Sequence, residues 1–155
     1  MDIYSGFIAG NPFQFKNTTT LNTVKELLSD NFPGYDGHKI PDILRAKSFI
    51  DELKHYGSMS GDSLPQLMVM ALPSDHTSGT RPDYPTPRAM VADNDLALGQ
   101  IVEAVSHSKF WKNTAIFVVE DDSQDGWDHV SAYRTTALVI SPYSKFTNAI
   151  HTAYN

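Results

Sequence analysis

The sequence predicts an α/β fold, a mixed or parallel sheet flanked by helices. Three observations lead there. Short apolar runs of strand length stand at residues 67–72 (LMVMAL), 115–119 (AIFVV) and 137–140 (ALVI). Two longer stretches between residues 41 and 107 carry apolar side chains at helical spacing. The two kinds alternate along the chain as helix, strand, helix, strand, loop, strand, the pattern of a sheet with helices packed on it.

Residues 1–37 are weakly patterned. A short helix is expected over residues 23–28, and Phe32-Pro33-Gly34-Tyr35 reads as a turn. The first clear helix begins at Pro41, whose missing N–H costs nothing in a first helical turn. Ile43, Leu44, Phe49, Ile50 and Leu53 fall near one face, and Gly57 is a stop signal. Residues 67–72 are continuously apolar, as in a strand buried on both faces, and Pro73 ends them. Thr86-Pro87 reads as a cap and first-turn proline of a helix running to His107, with Leu98, Ile101, Val102 and Val105 as its core stripe. Asp93, Asn94 and Asp95 are expected on that helix's polar face. The strand at residues 115–119 is rich in β-branched and aromatic residues and stops at Glu120-Asp121-Asp122.

Composition narrows the function. The chain has 155 residues, enough for one domain with a core, and 41% of them are hydrophobic. Its net charge of −6 argues against a nucleic-acid-binding surface, which would be basic. With no cysteine, thiolate metal sites and disulfides are excluded. No apolar run approaches the ~20 residues of a membrane span, and no signal peptide is expected at the N-terminus.

Two loops carry the candidate chemistry, each following a predicted strand. One holds Asp75 and His76. The other, residues 120–129, places five carboxylates and one imidazole within ten residues: Glu120, Asp121, Asp122, Asp125, Asp128 and His129. Crowded like charges repel, and a divalent cation offsets them. Oxygen and imidazole donors without sulfur suit zinc, manganese, magnesium or iron. Asp75, His76, Asp121, Asp122, Asp128 and His129 are therefore the candidate ligands. Glu120 points away from Asp121 if the strand continues and is the expected bystander. Asp75 alone is equally well explained as a turn cap. A calcium reading also exists, because Asp121, Ser123, Asp125 and Gly126 match the first half of an EF-hand loop. It fails at the twelfth position, which is Ala132 instead of a bidentate Glu.

Several segments together resemble the bacterial phosphoesterase family of the alkaline phosphatase superfamily, related to phospholipase C and acid phosphatase A-type enzymes. They are residues 32–53 (FPGYDGHKIPDILRAKSFIDEL), 72–80 (LPSDHTSGT), 91–130 (VADNDLALGQ through VVEDDSQDGWDHV) and 137–143 (ALVISPY). The resemblance spans about residues 30–145 and implies an alkaline-phosphatase-like sheet. It also implies hydrolysis of a phosphate ester at a metal centre, with a Ser or Thr nucleophile. It carries His76 with Asp75, Asp121 with Asp122, and Asp128 with His129 over as metal ligands, for zinc, manganese, iron, magnesium or calcium. It further implies a secreted or periplasmic setting. Where Trp127 stands, related sequences carry a small residue or proline, and they carry Asp and His where Ser131 and Tyr133 stand. No nucleophile loop is recognisable in residues 1–37, and Thr77 or Thr80 would substitute poorly. The expectation is thus one partial phosphoesterase-like domain over residues 1–155, with a phosphate-ester substrate and weak or no turnover. The alternative is a non-catalytic metal-binding or interaction module that retains the fold. A truncated sheet would expose a strand edge, which makes a homo-oligomer the expected form of any self-association.

Overall fold

The computed structural model describes residues 9–10, 17–34, 39–61, 63–121 and 135–145. The chain divides into two compact units, Met1–Val105 and Ser106–Asn155.

The first unit is built on two helices. Helix α1 spans Asp42–Ser58. Pro41 occupies the N-cap, one position earlier than the sequence suggests, with φ −58° and ψ 145°. Ile43, Leu44, Ala46, Phe49 and Leu53 are buried along α1, while Ile50 is only half-buried. Gly57 does not stop the helix. The chain leaves it after Ser58, where the Met59 N–H bonds back to the Tyr56 carbonyl at 3.2 Å. Helix α2 spans Pro87–Ser106. Thr86 Oγ1 accepts from the Ala89 N–H at 3.3 Å, the cap that the Thr-Pro pair predicts. Its buried stripe is Met90, Ala97, Ile101 and Val105, and Leu98 and Val102 are half-buried at its margin. The expected N-terminal helix is a single 3-10 turn, Lys25–Leu27.

Residues 67–72 depart most from expectation. They form no strand, and no ladder pairs with them among the described residues. Leu67 is 80% exposed and Val69 87%, whereas Met68, Met70 and Leu72 are half-buried. The apolar run is therefore an irregular segment in which every second side chain is exposed. An apolar run shows that a segment suits burial, but it does not supply the neighbouring strand that burial on both faces requires. Pro73 then opens a 3-10 turn, Pro73–His76.

The second unit contains strands β1, Ile116–Val119, and β2, Ala137–Ile140. Both coincide closely with their predicted runs. They pair antiparallel, with Phe117 opposite Val139 and Val119 opposite Ala137. Helices and strands are thus both present, and the fold is mixed α and β. The described sheet is two-stranded and antiparallel. Opposed residues share a face, so Phe117, Val119, Ala137 and Val139 lie together, and all four are exposed, Phe117 at 71% and Val119 at 67%.

Candidate functional site

The Asp75–His76 turn is held from beneath by side chains of both helices. Pro41 cannot cap α1, because it has no side-chain acceptor. The orphan N–H groups of the first turn must find one elsewhere. Asp93, in the second turn of α2, supplies it. Its Oδ2 accepts from the Asp42 N–H at 2.6 Å, and its Oδ1 lies 3.5 Å from the Ile43 N–H. The same Oδ2 accepts from Ser74 Oγ at 2.9 Å. Asp42, itself fully buried, accepts the Ser74 N–H on Oδ2 at 2.9 Å. Asn94 completes the set, its Nδ2 donating to Asp42 Oδ2 at 3.1 Å and to the Leu72 carbonyl at 2.6 Å.

Arg45 supplies the compensating charge. It is fully buried, and Nη1 lies 3.0 Å from Asp42 Oδ1. Nη1 also donates to the Ile40 carbonyl at 2.6 Å, and Nη2 to the Gly34 carbonyl at 2.7 Å. One guanidinium thus ties the entry to α1 and the preceding turn to the buried carboxylate. Burial pushes the Asp42 carboxyl above its usual 3.8, against the opposing pull of Ser74, Asn94 and Arg45.

Above this cradle, Asp75 and His76 are exposed. His76 Nδ1 lies 3.2 Å from the Thr77 carbonyl oxygen. A carbonyl can only accept, so the contact assigns the proton to Nδ1 and, in the neutral ring, the lone pair to Nε2. Thr77 adopts φ 59° and ψ 171°, a region essentially reserved for glycine. A β-branched residue there costs on the order of 1–3 kcal/mol and persists only where its surroundings over-determine it. The Thr77 N–H bonds to the Ser74 carbonyl at 3.1 Å, and Thr77 Oγ1 accepts from the Gly79 N–H at 3.3 Å. The strained residue is therefore fixed on both sides, and Ser74 is fixed in turn by Asp42 and Asp93.

In the second unit, β1 ends where the sequence places its acidic run. The Glu120 N–H continues the ladder to the Thr136 carbonyl at 3.0 Å. Thr135 Oγ1 donates to the Glu120 carbonyl at 3.0 Å and lies 3.3 Å from Glu120 Oε2. Glu120 thus closes the end of the hairpin. Asp121, the next residue, is exposed. Asp122, Asp125, Asp128 and His129 lie outside the described residues, as do Trp127, Ser131 and Tyr133. Asp75 and His76 belong to one unit and Asp121 to the other. Among the described residues, no three His, Asp or Glu side chains group as a metal site.

The residues that sequence reasoning missed are Asp42, Ser74, Asp93 and Asn94. Asp93 and Asn94 were expected on a polar helix face, and only Asp95 of the three is exposed. A signal for them exists. Asp and Asn are poor helix formers because they compete for backbone groups, so a pair of them inside a helix asks for a partner. A helix entered through Pro41 without a capping side chain asks for an acceptor. The two deficits answer each other.

No family model, curated protein or solved structure matches the chain.

Proposed function

We propose that the chain is a metal-dependent hydrolase of phosphate esters, with the alkaline-phosphatase-like mixed sheet of the family that its sequence resembles. The observation that carries the metal part of this reading is the contact of His76 Nδ1 with the Thr77 carbonyl. A metal-binding histidine ordinarily donates its other ring N–H to a carbonyl or carboxylate, which fixes the tautomer and the ring plane. His76 has that arrangement at an exposed turn, next to an exposed carboxylate, Asp75. The donor set fits a divalent cation of hard or borderline character. Asp75 and His76 are the candidate donors of the first unit, and Asp121 with Asp122, Asp128 and His129 those of the second. When bound, such an ion supplies Lewis-acid polarisation of a phosphoryl oxygen. The chain's own contribution is to present the His76 imidazole, oriented through Nδ1 by the Thr77 carbonyl, next to the Asp75 carboxylate. The reaction class comes from the sequence resemblance over residues 30–145.

The test uses the full chain, with metal content, melting in zinc or manganese, and turnover of an aryl phosphate. Wild type is compared with His76→Ala and with Asp121→Ala/Asp122→Ala. Metal should stabilise the wild type by about 2.7 kcal/mol at a hundredfold excess over Kd, and a variant that removes the ligands should lose most of that gain. No metal-dependent shift in the wild type defeats the reading. Metal binding without turnover selects the non-catalytic module instead. The Trp127, Ser131 and Tyr133 departures favour that second reading.

A further inference from the structure

We infer that Asp42, Asp93 and Asn94 are positioning residues for the turn that carries Asp75 and His76. The metal-affinity part of this inference rests on the proposed role of those two residues, and the conformational part does not. Each of these side chains makes a contact that reaches the turn from outside it. Asn94 Nδ2 holds the Leu72 carbonyl at 2.6 Å, immediately before the turn. Asp42 Oδ2 takes the Ser74 N–H at 2.9 Å, and Asp93 Oδ2 takes the Ser74 hydroxyl at 2.9 Å. Ser74, buried at 2% exposure, then holds the Thr77 N–H through its own carbonyl.

The consequence reaches His76 through Thr77. The carbonyl that receives His76 Nδ1 belongs to the residue at φ 59° and ψ 171°. In a relaxed extended or helical conformation Thr77 would orient that carbonyl differently, and the imidazole would lose its anchor. The unfavourable backbone state is retained because the cradle fixes the peptide three residues earlier. Side chains that orient a ligand without touching the metal are commonly worth 10–100-fold in metal affinity.

The inference is tested on the full chain with Asn94→Ala and Ser74→Ala, against Leu53→Ala. Leu53 is buried in α1 and makes no contact with the turn through the bonds above. Amide hydrogen exchange is followed by NMR, and zinc affinity is measured by calorimetry. Asn94→Ala and Ser74→Ala should each lower protection at the Thr77 N–H at least tenfold relative to amides of α1. Leu53→Ala should lower protection throughout the unit with no preference for Thr77. Zinc affinity should fall about 10–100-fold in the first two variants and less than threefold in Leu53→Ala. Unchanged selective protection at Thr77 in both cradle variants overturns the inference. So does an equal loss of zinc affinity in Leu53→Ala. If Asn94→Ala does not fold, Ser74→Ala decides, since it removes one hydroxyl and keeps the Ser74 backbone bonds. Wild type that binds no zinc defeats the metal reading, while Thr77 protection still decides the cradle.

Discussion

The two loops that carry the candidate ligands are secured by opposite means. Among the described residues no ladder pairs with the Asp75–His76 turn, which depends on converging side chains, two carboxylates, an amide and a hydroxyl, with Arg45 balancing the charge. The Glu120–Asp121 end of the hairpin depends on backbone pairing, extended by the Glu120–Thr136 bond and trimmed by Thr135. A ladder's bonds run between backbone groups that every residue of the two strands supplies. A cradle is set by its side chains, and each of its members is buried or half-buried. The lesson is that the turn's conformation is encoded by residues 19 to 32 positions away in the chain, whereas the hairpin end is encoded by the residues that directly continue its strands.

The largest effect that separates the two is expected at Arg45. Replacing it by Met leaves Asp42 buried without its countercharge and releases the carbonyls of Ile40 and Gly34. Removing one partner of a buried pair costs about 3–5 kcal/mol. Urea denaturation of Arg45→Met should show a loss in that range. A loss below about 1 kcal/mol would mean that the guanidinium does not balance the cradle, and the comparison would fail at its first member.

A smaller effect follows from Asp42 as pH changes. Burial raises its folded pKa above the unfolded value of 3.8. The folded chain therefore holds this proton more tightly than the unfolded chain does. Between 3.8 and the raised value the unfolded state binds fewer protons, so Asp42's contribution to stability falls as pH rises through that window and is level above it. Its steepest contribution is about 1.4 kcal/mol per pH unit. Asp42→Asn should remove this falling component from a plot of unfolding free energy against pH. An Asn variant that keeps the wild-type slope would place the proton uptake on another group.

How much of this was legible in the sequence depends on the range of the interaction. β1 and β2 were readable because each is a short apolar run bounded by polar residues, and α2 because Thr86 and Pro87 mark its start locally. The end of α1 was misjudged because a lone Gly57 does not force a stop while backbone bonds can continue. Residues 67–72 were misread because strand formation needs a neighbour that composition cannot supply. Of the candidate site, His76 and Asp75 were visible as a polar pair after an apolar run, and Asp121 as the end of β1. The support beneath them was not visible, since Asp93 reads as an ordinary helix-surface acid until Asp42 and Ser74 are brought to it.

The smallest expected effects sharpen the comparison by differing in sign. Thr77→Gly removes a β-branched side chain from a glycine-favouring backbone state. Relief of about 1–3 kcal/mol of strain is partly offset by glycine's greater freedom in the unfolded chain, about 0.5–1 kcal/mol, and by loss of the exposed Gly79 N–H bond to Thr77 Oγ1, about 0.5 kcal/mol. The variant should therefore be more stable by about 1 kcal/mol in urea melts. At the hairpin, Thr135→Ala loses one exposed bond to the Glu120 carbonyl while the Glu120–Thr136 ladder bond remains. That should destabilise by about 0.5 kcal/mol. A destabilised Thr77→Gly would show that the Thr77 side chain's bond to the Gly79 N–H outweighs the backbone strain, and the turn would then be no more strained than the hairpin end it is set against.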